Sequence, residues 1–123
     1  MTTLKYTEDH EWLRLEGNGE VTIGITDHAQ NALGDIVFVQ LPDVGASFAA
    51  GDEAAVIESV KAAGELKMPL AGTVAAVNEV LADTPATVNE DPLGDGWFIR
   101  IKLDDPAALD GLLDEAAYNA LID

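Results

Sequence analysis

The stretch ESVKAAGELKMPLAG, residues 58–72, decides how this chain is read. Before it, AAVIES has strand character; within it, GELKMP has strand character again. Two such segments joined by SVKAA make a hairpin with Lys61 near its tip. Turn tips favour Asn, Asp and Gly, yet Lys61 is flanked by Val60, Ala62 and Ala63. A lysine on a tip is ordinarily just solvated. Small, apolar company instead suits a surface that another protein grips, with the amine protruding from a rigid loop.

Working outward, the same pattern recurs. GTVAAVN follows PLAG as a further strand, and WFIRIKL is the last, with Ile99, Ile101 and Leu103 alternating with Arg100 and Lys102. Upstream, DIVFVQLP is a strand, and FAAGDEAAVIES is a turn at Gly51-Asp52 leading into one. EWLRLEGNGEVTIGI reads as a hairpin around Gly17-Asn18-Gly19. Between them TDHAQNALG reads as a short helix capped by Asp27, ended by Gly34, with Ala29, Ala32 and Leu33 on one face. NEVLADTPATVNEDPLGDG is a looser acidic segment. After Pro106, Leu109, Leu112, Leu113, Ala116, Ala117, Ala120 and Leu121 follow helical spacing, with Gly111 placed to split the segment and Asp110 or Asp114 to recap it. Many short strands with a terminal helix predict a small β-sandwich or barrel with a helical appendage over about 106–122.

A chain of 123 residues, 48% of them apolar, suits one domain, 1–123, with one modest core. The formal net charge of −17 disfavours nucleic acid and anionic membranes. It suits partners whose docking sites carry Lys or Arg, and serves equally as a solubility device. With no cysteine there is no disulfide, thiolate metal site or Cys nucleophile. No apolar run is long enough to span a bilayer, and MTTLKYTEDHEW has neither an apolar signal segment nor the basic character of a transit peptide. The expectation is a cytoplasmic protein.

HEW at 10–12, VTIGITDHAQNALGDIVFVQLPDVG at 21–45, GD at 51–52, ESVKA at 58–62, VNEDPLGDGWFIRIKL at 88–103 and LLDEAAYNAL at 112–121 together resemble the H protein of the glycine cleavage system, a lipoyl carrier. The resemblance runs along nearly the whole chain, in order and spacing. It implies a mainly β barrel-sandwich hybrid of two small antiparallel sheets, with a short internal helix and a C-terminal helix. It implies lipoic acid in amide linkage on Lys61. It also implies a non-catalytic shuttle of the aminomethyl group of glycine. Glycine decarboxylase would load the arm, aminomethyltransferase unload it, dihydrolipoamide dehydrogenase reoxidise it, and a lipoyl-attaching enzyme install it. An alternative is an H-like protein relaying lipoyl groups to other 2-oxoacid dehydrogenases. A hydrolytic or metal enzyme stands far behind, for want of any nucleophile–base or metal-ligand spacing.

GELKMPLAG departs from that family, which more often has an acidic-aliphatic-aromatic run before the proline. LKM is instead similar to the MKM of biotin carriers. Both families place a glycine about eleven residues past the modified lysine. Gly72 stands eleven past Lys61 and five past Lys67, so Lys67 reads as an exposed strand residue. Glu11 and Glu65 match family positions that line a cleft for the loaded, cationic arm; the plain alternative is two solvated acids among 23. His10 and His28 read as structural or surface histidines rather than a metal pair, and no metal is expected. Trp12 and Trp97 read as core or cleft walls.

Overall fold

The computed structural model describes residues 4–16 and 19–122, with 106–108 described at the backbone only. Among the described residues nine strands form two antiparallel sheets. The larger has the order β1 (Leu4–Tyr6), β2 (Glu11–Leu15), β3 (Glu20–Ile25), β9 (Ile99–Leu103), β8 (Gly72–Val77), β5 (Ser47–Phe48). The smaller has the order β4 (Ile36–Gln40), β6 (Glu53–Ser59), β7 (Ala63–Lys67). Consecutive strands β2 and β3 pair from Glu11↔Ile25 to Leu15↔Val21. Their turn residues Gly17 and Asn18 lie outside the described residues.

One core fills the space between the sheets. Leu13, Ile23, Ile99 and Ile101 of the larger sheet meet Val39, Ile57 and Leu66 of the smaller. The alternation read in the last strand holds: Ile99, Ile101 and Leu103 are buried while Arg100 and Lys102 face out. In β2 and β3 alternation is hidden because both faces are covered. Leu13 enters the main core, while Trp12 joins Tyr6 and Tyr118 on the other face, under the C-terminal helix. That second layer demands a glycine: a Cβ on Gly24 would lie 2.7 Å from the Trp12 ring.

Several local readings change. The first helix, α1 (Asp27–Leu33), is capped by Thr26, not Asp27. Thr26 is the extended residue whose Oγ1 accepts from the Ala29 N–H at 3.2 Å, and Asp27 already lies in the first turn. Gly34 ends it at φ 83°. The acidic segment 78–96 is not loose. It holds α2 (Val80–Asp83) and α3 (Thr87–Glu90), each seating one apolar residue in the core, Leu81 and Val88. One buried side chain per short helix is too sparse a pattern to show periodicity. Where one internal helix was expected, three short ones stand among the described residues. The C-terminal segment is split at Gly111, into a 3-10 helix (Pro106–Gly111) and α4 (Glu115–Ile122), with Asp114 capping α4 through the Ala117 N–H at 2.8 Å. β1 and β5 are too short to stand out in sequence; each is held by its partner strand.

Candidate functional site

β6 and β7 pair antiparallel as far as Glu58↔Ala63, and the tip between them is Ser59–Ala62. The Ser59 N–H donates to the Ala62 carbonyl at 2.8 Å. Ser59 Oγ accepts from the Ala62 N–H at 3.0 Å and donates to the Ala62 carbonyl at 3.1 Å. One hydroxyl thus supplies the local bonding that Asn, Asp or Gly give other turns. Val60 and Lys61 are released from turn duty, which answers why so plain a sequence can make this tip. Lys61 itself is exposed.

The tip rests on a floor made by the end of α1. The Val60 N–H donates to the Asp35 carbonyl at 3.0 Å. A Cβ on Gly34 would meet Lys61 Cε at 3.2 Å, so the lysine stem lies across this glycine. Gly34 therefore serves twice, through its positive φ and its bare surface. Asn89 of α3 pins the same corner. Its Oδ1 accepts from the Ile36 N–H at 2.8 Å, and its Nδ2 donates to the Gly34 carbonyl at 2.8 Å and Gln30 Oε1 at 2.9 Å. Neither residue had a site role in the sequence. Asn89 lies 53 residues from Ile36, beyond any local pattern.

Glu11 occupies a different environment. It lies on the same side of β2 as Leu13, the core-facing side, and is 3% exposed. Its Oε1 accepts from Thr7 Oγ1 at 3.2 Å and its Oε2 from the backbone N–H of Lys67 at 3.0 Å. β7 is an edge strand, and Glu11 caps one of its outward N–H groups. Burial pushes its carboxyl up to about 7, against the pull of the Thr7 and Lys67 hydrogen bonds and the Lys67 charge, with Asp9 adding to the rise. The turn leading into it places His10 at φ 67°, an uncommon conformation for a residue with a side chain. Glu11 lines a cleft of ≈ 350 Å³ with Tyr6, Thr7, Asp9, Lys67 and Met68 among its walls.

The reading of Glu11 as a solvated acid does not survive its burial. Glu65 is the reverse: it is exposed on β7 opposite Val56, and is not among the residues that line the Glu11 cleft. It stands between the tip and Lys67 on the same strand. Lys67 is exposed on β7, as read, and serves the cleft through its backbone. His10 and His28 come together, rings 4.5 Å apart, and His10 Nδ1 shares a 2.8 Å hydrogen bond with the Tyr118 hydroxyl. Among the described residues no group of three or more His, Cys, Asp or Glu is placed to hold a metal ion. Trp12 is fully buried, its Nε1 donating to the Pro92 carbonyl at 2.9 Å; Trp97 is partly buried at the edge of the second cluster.

Residues 4–123 match the model of the glycine cleavage H-protein family. The chain belongs to that family. It is 59% identical over 119 residues, 97% of this chain and 91% of the relative, to the glycine cleavage system H protein of Chromohalobacter salexigens. It is 55% identical over 123 residues, 100% of this chain and 98% of the relative, to that of Parvibaculum lavamentivorans. The crystal structure of a glycine cleavage system H protein from Mycobacterium marinum superposes with a TM-score of 0.86 at 38% identity, covering 96% of this chain and 94% of the other. The fold is the family's barrel-sandwich hybrid. H proteins are the lipoyl carriers of the glycine cleavage system, components that are not themselves catalytic, and they bear a covalently attached lipoyl group on a lysine.

Proposed function

We propose that Lys61 is the lipoyl-bearing lysine and that the chain, 1–123, acts as one carrier domain between soluble partner enzymes in the cytoplasm. The observation that carries this is positional. Lys5, Lys67 and Lys102 lie within strands β1, β7 and β9, whereas Lys61 alone stands on a tip. An exposed amine on a braced turn fits covalent attachment of a long acyl arm, because nothing need unfold to present it.

When attached, the lipoyl group supplies a disulfide that can take up and give back a one-carbon amine fragment. The chain's own residues present it and shelter its load. Glycine decarboxylase, aminomethyltransferase and dihydrolipoamide dehydrogenase are the partners this reading assigns. About 13 Å of strand, four steps at the usual rise, separates Ala63 beside the tip from Lys67, whose N–H Glu11 holds. Glu11 is the better of the two carboxylates for receiving a cationic amine. It sits in a cleft, fixed by two hydrogen bonds, where a charge pair is less screened than on open surface. Glu65, exposed on β7, stands outside that cleft.

Intact mass and peptide mapping of native protein test the assignment. The expected result is a single lipoyl adduct on Lys61, absent from Lys61→Arg and retained in Lys67→Arg. An adduct on Lys67 in the wild type would overturn it. Glu11→Gln, in turn, is expected to hasten loss of ammonia and formaldehyde from the loaded carrier about five-fold, the ratio that ~1 kcal/mol implies. Equal release rates at one pH would remove Glu11 from the role.

A further inference from the structure

Side chains from three separate elements meet under the C-terminal helix. Tyr118 of α4 is 4% exposed and stacks on Tyr6, ring centroids 4.7 Å apart. Its hydroxyl lies 2.7 Å from Thr26 Oγ1, at the N-cap of α1, and 2.8 Å from His10 Nδ1, in the turn before β2. The His10 ring in turn lies 4.5 Å from that of His28 on α1. His10 holds this place at φ 67°, where glycine would sit at less cost, so a side chain is kept there against backbone preference.

Counting hydrogens gives this chain of contacts a direction. A hydroxyl donates one hydrogen. Thr26 Oγ1 already accepts from the Ala29 N–H, and its other partner among the described residues is Tyr118. With Nδ1 of His10 bare, Thr26 donates to Tyr118 and Tyr118 donates to Nδ1, so both hydroxyl hydrogens have an acceptor. A proton on Nδ1 reverses the chain. His10 then donates to Tyr118 and Tyr118 to Thr26, and the hydroxyl hydrogen of Thr26, a buried residue, is left without an acceptor among these groups. The cation so formed also lies against His28, which charges in the same pH range.

We propose that His10, His28, Thr26 and Tyr118 form a pH-sensitive latch, closed when His10 is neutral, that holds the C-terminal helix against the larger sheet and with it one wall of the Glu11 cleft. Tyr6 and Leu113 exchange both backbone hydrogen bonds, at 2.8 and 2.9 Å, and Gly111, Leu112 and Leu113 line that cleft. Facing His10 are His28 from α1, Asp9 from its own turn and Tyr118 from α4. Asp27 and Glu115 line the neighbouring cavity of ≈ 380 Å³ with His28 and Tyr118. Desolvation, and then His28, hold the His10 pKa below its ordinary value of 6.5, outweighing the pull of Asp9. The contribution of the latch to stability is therefore fully present above 6.5 and is lost as pH falls through the lower folded value. Acid thus loosens the cleft wall as it also discharges the Glu11 carboxylate. On the reading of that cleft as the shelter of the loaded arm, both changes release the load; the latch itself does not depend on that reading.

The test uses unmodified full-length protein, so that no role of Lys61 or Glu11 enters it. Amide exchange at 118–122, normalised to the unstructured rate at each pH, is compared at about pH 7.5 and about pH 5.5. In the wild type it is expected to rise roughly five-fold or more in acid, with β3 and β9 unmoved. His10→Asn tolerates the positive φ and brings an amide oxygen toward the place of Nδ1, an acceptor that does not titrate. It is expected to keep exchange slow at both pH values. Tyr118→Phe should exchange fast at both. His28→Gln, which removes the neighbouring charge, should move the midpoint of the acid response to higher pH. Circular dichroism melts confirm that each variant is folded. In the wild type alone, ring 15N shifts at about pH 7.5 should place the His10 proton on Nε2, a readout that no unfolded variant can obscure. A proton on Nδ1 at that pH, no acid response in the wild type, or an equal response in His10→Asn would overturn the proposal.

Discussion

The tip at Lys61 and the cleft at Glu11 sit at opposite ends of one strand, β7, and are built on opposite principles. At the tip everything that matters is exposed, and rigidity comes from backbone hydrogen bonds, one serine and an asparagine brace. At the cleft the Glu11 carboxyl is buried on the core side of β2, and its ionisation is set by what surrounds it. Presentation to an enzyme asks for access without motion. Sheltering a cation asks for low screening, which only burial supplies. On the reading proposed above a carrier needs both, and a hairpin edge strand capped by a carboxylate would let one element serve them.

If that contrast is right, damage to the floor should cost more than damage to the turn. Asn89→Ala leaves the part-buried Ile36 N–H and Gly34 carbonyl without their partner. It is expected to cost about 2–3 kcal/mol in a urea titration. Attachment to Lys61 should slow in the same variant, because the corner under the tip loosens. An unchanged midpoint would mean that the tip stands on its own turn.

The cleft predicts a pH signature that the tip lacks. Burial raises the folded pKa of Glu11 from the ordinary carboxyl value of 4.5 to about 7. Its contribution to stability is therefore fully present below about 4.5 and lost as pH rises through about 7. Between pH 5 and 8 this one carboxyl should remove on the order of 2 kcal/mol from the wild type, a change that Glu11→Gln flattens. Lys61→Gln should leave the same slope untouched. Urea midpoints at the two pH values decide it. Identical slopes in wild type and Glu11→Gln would erase the distinction between the two regions.

Ser59→Ala sharpens the comparison further. The turn keeps its backbone bond but loses the hydroxyl, for an expected cost of about 1 kcal/mol. The readout is faster amide exchange confined to 59–62. The smallest effect is the broad one. With net charge −17, the apparent KM of aminomethyltransferase for the loaded carrier should rise as salt increases. A flat response would leave the charge as a solubility device.

By itself the sequence determined the hairpin, its lysine and the terminal helix. Each is a local pattern: two apolar alternations around a short connector, small residues flanking one amine, and leucines and alanines at helical spacing. The glycine eleven residues beyond Lys61 is a spacing of the same local kind, and through the family resemblance it makes Lys61 rather than Lys67 the expected site. Tertiary structure alone decided the rest. No local pattern sets Glu11 apart from the other acids beyond its family position; only β2's place between two layers makes it a buried carboxyl with a raised pKa. Asn89 acquires its role by meeting Gly34 and Ile36 across more than fifty residues. Val37 and Phe38 read as an ordinary pair in a strand, one in and one out, until a slip in pairing with β6 turns both outward. Burial, brace and bulge are properties of which segments meet, and no window of sequence contains both partners.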